Sequence, residues 1–235
     1  MIINLISSPR NISTALMYSF AQRADCKVID EPFYGLYLLQ SGMDHPGRDE
    51  IIESQPKTVG GVIEWINELH ARHTHVFVKN MAHHLVEMDT SFLMNWKNVL
   101  LIRDPKKLIT SFAKVIRNPT MSDIGVRRQE ELEQTLSNFQ QCPIIDSGVI
   151  LTNPKAILGK LCEQIGIPFD EAMLSWQPGA IQEDGVWAKY WYKNVHASNG
   201  FQKPLEREEQ FPEHCLSLLQ ESQEIYQRLF TKSIQ

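Results

Sequence analysis

Ile2-Ile3-Asn4-Leu5-Ile6 running into Ser7-Ser8-Pro9-Arg10-Asn11-Ile12-Ser13-Thr14 sets the architecture of this 235-residue chain. The first five residues form a short, nearly all-apolar run, as expected of a strand covered on both faces. Ile12, Leu16 and Phe20 then recur at helical spacing, with Ala15 beside them, and predict a helix to Arg23. A strand that feeds a helix presents unpaired backbone N–H groups and the positive end of the helix dipole, which together make an anion site. The pattern recurs where Val99-Leu100-Leu101-Ile102 runs into Arg103-Asp104-Pro105, with Ser111 one helix segment later. Two such sites on one sheet suggest a ligand with phosphates at both ends.

Further strands are predicted at Lys27-Val28-Ile29, ended by Asp30-Glu31-Pro32; at His75 to Val78, ended by Lys79-Asn80; and at Ile144-Ile145. Val59 to Arg72 is amphipathic on Val62, Ile66 and Leu69. Asp104 then Pro105 reads as a capped helix start, with Leu108, Ile109, Phe112, Val115 and Ile116 as the buried stripe. Val126 to Gln140 predicts a polar helix, and Pro154 to Ile165 a helix stopped by Gly166. A last helix is expected from Glu213 to Phe230 on Leu216, Leu219, Tyr226 and Leu229. Strands alternating with helices imply right-handed crossovers and a parallel sheet. The expected fold class is α/β: a single three-layer domain over 1–235, its central parallel sheet of about four to five strands flanked by helices. In such a sheet ligands bind at the carboxyl ends of the strands, where Arg10, Glu31, Lys79 and Arg103 all fall.

The net charge of −5 argues against a general nucleic-acid binder, which needs a broad basic surface. Lys106, Lys107, Lys114, Arg117, Arg127 and Arg128 nonetheless lie close together, while Glu206 to Glu213 is acidic; the basic stretch marks either an anionic ligand or a solvated helix face. The four cysteines are widely spaced with no C-x-x-C pair, which fits reduced thiols in a cytoplasmic protein rather than zinc or dithiol chemistry. No basic segment precedes the first apolar run, so no signal peptide is expected. No apolar run reaches the roughly 20 residues that span a bilayer.

The first loop is not a Walker A motif: it has no G-x-x-x-x-G-K-[ST] and no glycine. Phosphates would rest on backbone N–H groups, on Arg10, and on the hydroxyls of Ser13 and Thr14; the alternative is that these hydroxyls only border a helix. Arg103 ends an apolar strand and suits bidentate phosphate recognition, or else pairs with a carboxylate such as Asp104. Ser111 lies on the helix face expected to carry Lys107 and Lys114.

Arg103-Asp104-Pro105 with Ser111 resembles the arginine-plus-serine signature with which sulfotransferases hold the 3′-phosphate of PAPS (3′-phosphoadenosine 5′-phosphosulfate). Pro9 to Thr14 resembles their 5′-phosphosulfate loop, P-[KR]-S-G-T-T, in the same order along the chain. Ser8 to Met17, Asp30 to Tyr34, Gly166 to Leu174 and Gly185 to Lys189 look like a microbial branch of that family, sometimes labelled as similar to or associated with branched-chain aminotransferases. The resemblance implies a P-loop-like fold and PAPS as donor, with no metal. Arg10, Asn11, Ser13 and Thr14 would hold the phosphosulfate, and Arg103 and Ser111 the 3′-phosphate. Asn11-Ile12 replaces the usual serine-glycine pair, so the loop holds its ligand somewhat differently. The K-T-H histidine of cytosolic members is absent; Lys79-Asn80-Met81 stands there, with His83 and His84 just beyond, either of them a contact to acceptor or an alternative base.

Glu31 is the favoured base, since a carboxylate beside an acceptor hydroxyl can take its proton; the alternative is that Glu31 pairs with Arg10 or Lys79 and orders the site. Asp30 is set aside, because its side chain should point to the opposite face of an extended segment. Lys79 would join Arg10 in stabilising the leaving phosphate, or else reaches solvent. Residues 182–235 form a late cofactor or substrate loop and closing helix, in which Lys189, Lys193 and Ser198-Asn199-Gly200 would close over the donor, or Trp187 and Trp191 simply pack into the core. The expected activity is sulfuryl transfer from PAPS to a hydroxyl or amine of a small-molecule acceptor, with Phe33 to Leu39 and Met121 to Arg128 lining the acceptor pocket. The rivals are a P-loop kinase or nucleotide hydrolase and a catalytically silent nucleotide-binding module. No nucleic-acid or membrane partner is expected.

Overall fold

Five strands, Ile2–Ser7 (β1), Cys26–Asp30 (β2), His75–Met81 (β3), Lys97–Ile102 (β4) and Ile144–Asp146 (β5), form one sheet in the order β2-β3-β1-β4-β5, every pair parallel. This is a computed structural model, and it describes residues 1–202 and 210–235. Part of the acidic stretch Glu206 to Glu213 lies outside the described residues.

The connections are helical: Ser13–Ala21 (α1), Tyr34–Ser41 (α2), Arg48–Glu53 (α3), Val59–His70 (α4), Pro105–Phe112 (α5), Met121–Ile124 (α6), Val126–Ser137 (α7), Ser147–Thr152 (α8), Pro154–Ile165 (α9), Ala188–Trp191 (α10), Lys193–His196 (α11) and Leu216–Phe230 (α12). Because successive side chains of a strand face opposite sides, the sheet divides the core in two. Ile2 and Ile6 of β1, Val76 and Val78 of β3, and Leu100 and Ile102 of β4 pack with α4, α5, α7 and α12. Ile3 and Leu5, Phe77, Val99 and Leu101 pack with α1 and α9. Both faces are covered, which is why the strands read as apolar runs rather than alternating ones. Within the first layer Asn80 donates to Asn4 (2.7 Å) and Asn4 to Asn98 (2.8 Å), a buried amide ladder across β3, β1 and β4.

Three expectations need correction. β3 runs to Met81, so Lys79 and Asn80 lie inside the strand rather than beyond it; β3 has β1 on one side and β2 on the other, with Lys79 opposite both Leu5 and Asp30. The helix after Arg103 stops at Phe112, where the chain closes into a turn with the Val115 N–H bonded to the Phe112 carbonyl at 2.9 Å. Val115, beyond the end of the helix, is 48% exposed. Leu216 opens α12 on its solvent side, 57% exposed, after a short 3-10 turn over Glu213–Cys215.

Candidate active site

The carboxyl edge of the sheet carries two groups of polar side chains. The first surrounds the loop after β1. Arg10 adopts a left-handed backbone (φ 54°), which turns the chain sharply between the strand and α1. Its Nε donates to Ser111 Oγ of α5 at 3.2 Å, and the Arg103 guanidinium donates to the Arg10 carbonyl. Asn11 Nδ2 donates to the Leu101 carbonyl at 3.1 Å and to Ser8 Oγ at 3.3 Å, tying the loop to β4. Two segments about a hundred residues apart in sequence, as the Arg10–Ser111 separation of 101 shows, thus meet at hydrogen-bond distance.

Helix α1 has no side chain capping its N-terminus. Ser13 is buried and Thr14 half-buried in its first turn. α2, which follows β2, likewise starts with no side-chain cap, whereas the helices that follow β4 and β5 are filled from within. Asp104 accepts from the Lys107 N–H (3.0 Å) at α5, and Asp146 accepts from Gly148 (2.7 Å) and Val149 (3.0 Å) at α8. The second anion site expected from the sequence is therefore not a helix terminus, since Asp104 occupies it; what remains there are the side chains of Arg103 and Ser111. Lys114 falls beyond the end of α5 and does not share a helix face with Ser111. Arg10 is half-buried, has no carboxylate partner among the described residues, and is drawn below its ordinary pKa by burial.

The second group lies at the ends of β2 and β3. Asp30 and Lys79 are register neighbours on the α1 side of the sheet, so the fully buried Lys79 ammonium meets Asp30 Oδ1 at 2.8 Å. It also donates to Glu31 Oε1 at 2.6 Å and to the Tyr192 hydroxyl at 2.5 Å. Asp30 thus belongs to the site, against the rule that successive side chains of a strand diverge. That rule fails here because Glu31 leaves the strand with a left-handed backbone (φ 37°), which swings its carboxylate back beside Asp30. Lys79 sits with Asp30, Glu31 and Tyr192, Arg10 with Ser111, and the two share no hydrogen-bond partner among the described residues. Nor does Lys79 reach solvent.

Burial pushes the Glu31 carboxyl above its ordinary range, reinforced by Asp30 and opposed by Lys79. One cation between two buried carboxylates leaves a surplus negative charge, which raises the proton affinity of the Glu31 carboxylate. Lys79 itself is held above its usual value: burial works against it, and Asp30 and Glu31 overcome that.

His83 and His84 lie on a buried 3-10 turn, Ala82–Leu85. His84 Nδ1 is 3.8 Å from Glu31 Oε2, and its ring stacks on Tyr34 (centroids 4.6 Å) and Tyr37 (4.8 Å). Burial, and then the neighbouring His45, pull His83 down to about 3; burial and His83 pull His84 well down too. At neutral pH both imidazoles are uncharged, and His83 binds protons too weakly to be an effective general base. Lys189 pairs with Glu50 of α3 at 2.6 Å and is exposed, as is Lys193; neither bonds to the Arg10 loop among the described residues. Of the basic stretch, Arg127 pairs with Glu221 and Arg128 with the Leu85 carbonyl and Glu131, ordinary surface and structural roles.

Sequence reasoning missed Tyr192. The aromatic stretch Trp187 to Phe201 stands out in the sequence, but spacing does not tell Tyr192, 5% exposed, from Tyr190, 44% exposed. Among the described residues no group of three or more His, Cys, Asp or Glu is arranged to hold a metal ion, and no helix is long and apolar enough to cross a membrane.

A family model described as a sulfotransferase domain matches residues 1–230. Branched-chain-amino-acid aminotransferase-like proteins 1 and 2 of Arabidopsis thaliana are each 34% identical over 227 residues, 96% of this chain. The chain spans about two fifths of their length (41% and 40%). Among solved structures, a sulfotransferase from Alicyclobacillus acidocaldarius superposes with a TM-score of 0.57 at 8% identity, covering 99% of this chain and 96% of that one. The sulfotransferase domain of the Synechococcus PCC 7002 olefin synthase gives 0.52 at 16%, covering 94% and 93%. That of the curacin biosynthetic pathway gives 0.51 at 16%, covering 97% of both. At these identities the likeness is one of fold.

Proposed function

This chain belongs to the sulfotransferase domain family, and from that premise we propose that it moves the sulfuryl group of PAPS to a hydroxyl or amine of a small-molecule acceptor. The observation that carries the reading is the meeting of Arg10 with Ser111 and Arg103 beside the uncapped start of α1. A half-buried arginine without a carboxylate partner among the described residues, next to backbone N–H groups with no side-chain cap, suits an anion better than it suits the protein alone.

The residues present fit a donor that is anionic at both ends. Arg10, Ser13, Thr14 and the first N–H groups of α1 would hold the phosphosulfate. Arg103 and Ser111 would hold the 3′-phosphate. Asn11 contributes by bracing the loop through Leu101 and Ser8. The donor supplies the sulfuryl group. Glu31, its carboxyl raised by burial, takes the proton of the acceptor as the acceptor oxygen or nitrogen bonds to sulfur; the bond between sulfur and the 5′-phosphate oxygen breaks, and its electrons leave with adenosine 3′,5′-bisphosphate. No covalent enzyme intermediate and no metal are part of this scheme. Residues 182–202 would close the site; Lys189, paired with Glu50, and the exposed Lys193 do not bond to the Arg10 loop among the described residues. The acceptor would lie by Tyr34, Tyr37 and His83, where Phe33–Leu39 and the Met121–Arg128 region converge on the histidine turn: Gly125 approaches so closely that an added Cβ would stand 3.2 Å from the backbone nitrogen of His83.

Calorimetric titration with adenosine 3′,5′-bisphosphate, beside ATP with magnesium and adenosine 5′-monophosphate, tests the reading. Micromolar binding of the bisphosphate is expected. Arg103→Ala should lose about 1.5–3 kcal/mol of it, the worth of hydrogen bonds to a charged group, while Glu31→Gln should keep the affinity and lose turnover. A preference for magnesium-ATP would overturn the donor assignment.

A further inference from the structure

Resting on the reading of Glu31 as proton acceptor, we infer that Lys79 and Tyr192 are positioning residues: Lys79 acts through Glu31 and Asp30 rather than on the donor's phosphates, and Tyr192 fixes it there.

A lysine ammonium has three N–H donors. Here all three are spent within the chain, on Asp30 Oδ1 (2.8 Å), Glu31 Oε1 (2.6 Å) and Tyr192 Oη (2.5 Å), by a side chain with no solvent exposure. To reach a phosphate, Lys79 would have to strand a buried carboxylate, and removing one partner of a buried ion pair is strongly unfavourable. The strand register keeps it in place, since Lys79 stands opposite Asp30 on a central strand paired on both edges. A point charge on a flexible stem would otherwise be free to swing to any nearby anion.

Tyr192 supplies the third wall. Its hydroxyl donates to Asp30, 2.9 and 2.7 Å from the two carboxylate oxygens, and accepts from Lys79 and from Trp187 Nε1 (3.1 Å). It sits at the junction of α10 and α11, and the same segment reaches Asp30 Oδ2 through the Gly185 N–H at 3.1 Å. The groups that face Glu31 are thus Lys79 from β3, Asp30 from β2, Tyr192 from the α10–α11 junction, His84 from the 3-10 turn and Tyr34 from α2. Lys79 and Tyr192 oppose the rise that burial and Asp30 impose on the Glu31 carboxyl. Together they set how readily that carboxylate is available, and they do so without a place in the anion loop.

Two measurements on wild type, Tyr192→Phe and Lys79→Met test the assignment. One is a 13C-carboxyl NMR titration of Glu31, its signal assigned through Glu31→Gln. The other is calorimetric binding of adenosine 3′,5′-bisphosphate. The Glu31 midpoint should rise by about half a pH unit or more in Tyr192→Phe and further in Lys79→Met, with bisphosphate affinity within about twofold of wild type. An unmoved midpoint in Tyr192→Phe, or about a tenfold loss of affinity in either variant, overturns the assignment. Should Lys79→Met fail to fold, Tyr192→Phe, which keeps the ring, is sufficient by itself. If wild type itself ignores the bisphosphate, the donor reading falls, while the Glu31 midpoint still decides the positioning role.

Discussion

Arg10 and Glu31 share a backbone conformation that L-amino acids avoid. With Glu87 they are the non-glycine residues at positive φ among the described ones. Left-handed geometry costs a residue with a Cβ about 1–2 kcal/mol, and such strain persists where the surrounding structure over-determines it, most often at functional sites. At Arg10 the determinants are the Arg103 bond to its carbonyl and the Ser111 bond to its side chain; at Glu31 they are the N–H bonded to the Lys79 carbonyl (2.8 Å) and the carbonyl that accepts from Gln55 Nε2 (2.9 Å). Arg10→Gly separates strain from function. Glycine removes the left-handed penalty but loosens the unfolded chain by about 0.5–1 kcal/mol, so stability to urea should stay within about 1 kcal/mol of wild type. Bisphosphate affinity should fall about tenfold or more, because the guanidinium is gone. An unchanged affinity would remove Arg10 from the anion loop.

Four helices leave the strand ends on this edge, and their starts are of two kinds. α5 and α8 begin with an aspartate that accepts their own N–H groups, whereas α1 begins at Ile12 and α2 at Phe33 with no side-chain cap. An open terminus retains roughly half a positive charge for something else to meet. Ile12→Asp should fill it: the new carboxylate can accept from the first-turn N–H groups and repel an incoming phosphate. Bisphosphate affinity should drop about tenfold or more while a single cooperative melt is retained; undiminished affinity would mean that the α1 terminus does not face the ligand. Much of this layer is legible in the sequence. Asp104-Pro105 and Gly166 mark where α5 begins and α9 ends because capping chemistry is local. The end of α5 is not, since Val115 and Ile116 continue a helical apolar spacing past the turn that closes on the Phe112 carbonyl. The length of β3 is hidden too, because a lysine and an asparagine inside a buried strand are explained only by the cross-strand partners Asp30 and Asn4.

At the scale of the whole molecule the parallel sheet sorts charge along one edge. Arg10 and Arg103 gather at β1 and β4 in the middle, and Asp30, Glu31 and Lys79 at β2 and β3 to one side. The anion half is legible because its residues sit in two contiguous motifs; the acid half is only partly so, because Tyr192 reaches it across a sequence separation of 162 residues from Asp30. The two halves are joined to an aromatic and histidine layer that the fold keeps uncharged, and this leaves a mark on global stability. His83 has an unfolded pKa near about 6.5 and is pulled down to about 3 in the folded protein by burial and by His45. Between those values the unfolded chain takes up a proton that the folded chain refuses. Stability is therefore full above about pH 6.5 and lost as pH falls toward the folded value, at about 1.4 kcal/mol per pH unit for one such histidine. His84 shifts in the same direction and adds to the slope. His83→Phe keeps a ring against Tyr37 and cannot titrate. Urea unfolding at successive pH values from 7 to 4 should show its stability falling less steeply than wild type, by about one proton's worth of slope. Parallel curves for the two proteins would mean that His83 is protonated in the folded state, and that the layer beneath Glu31 carries charge after all.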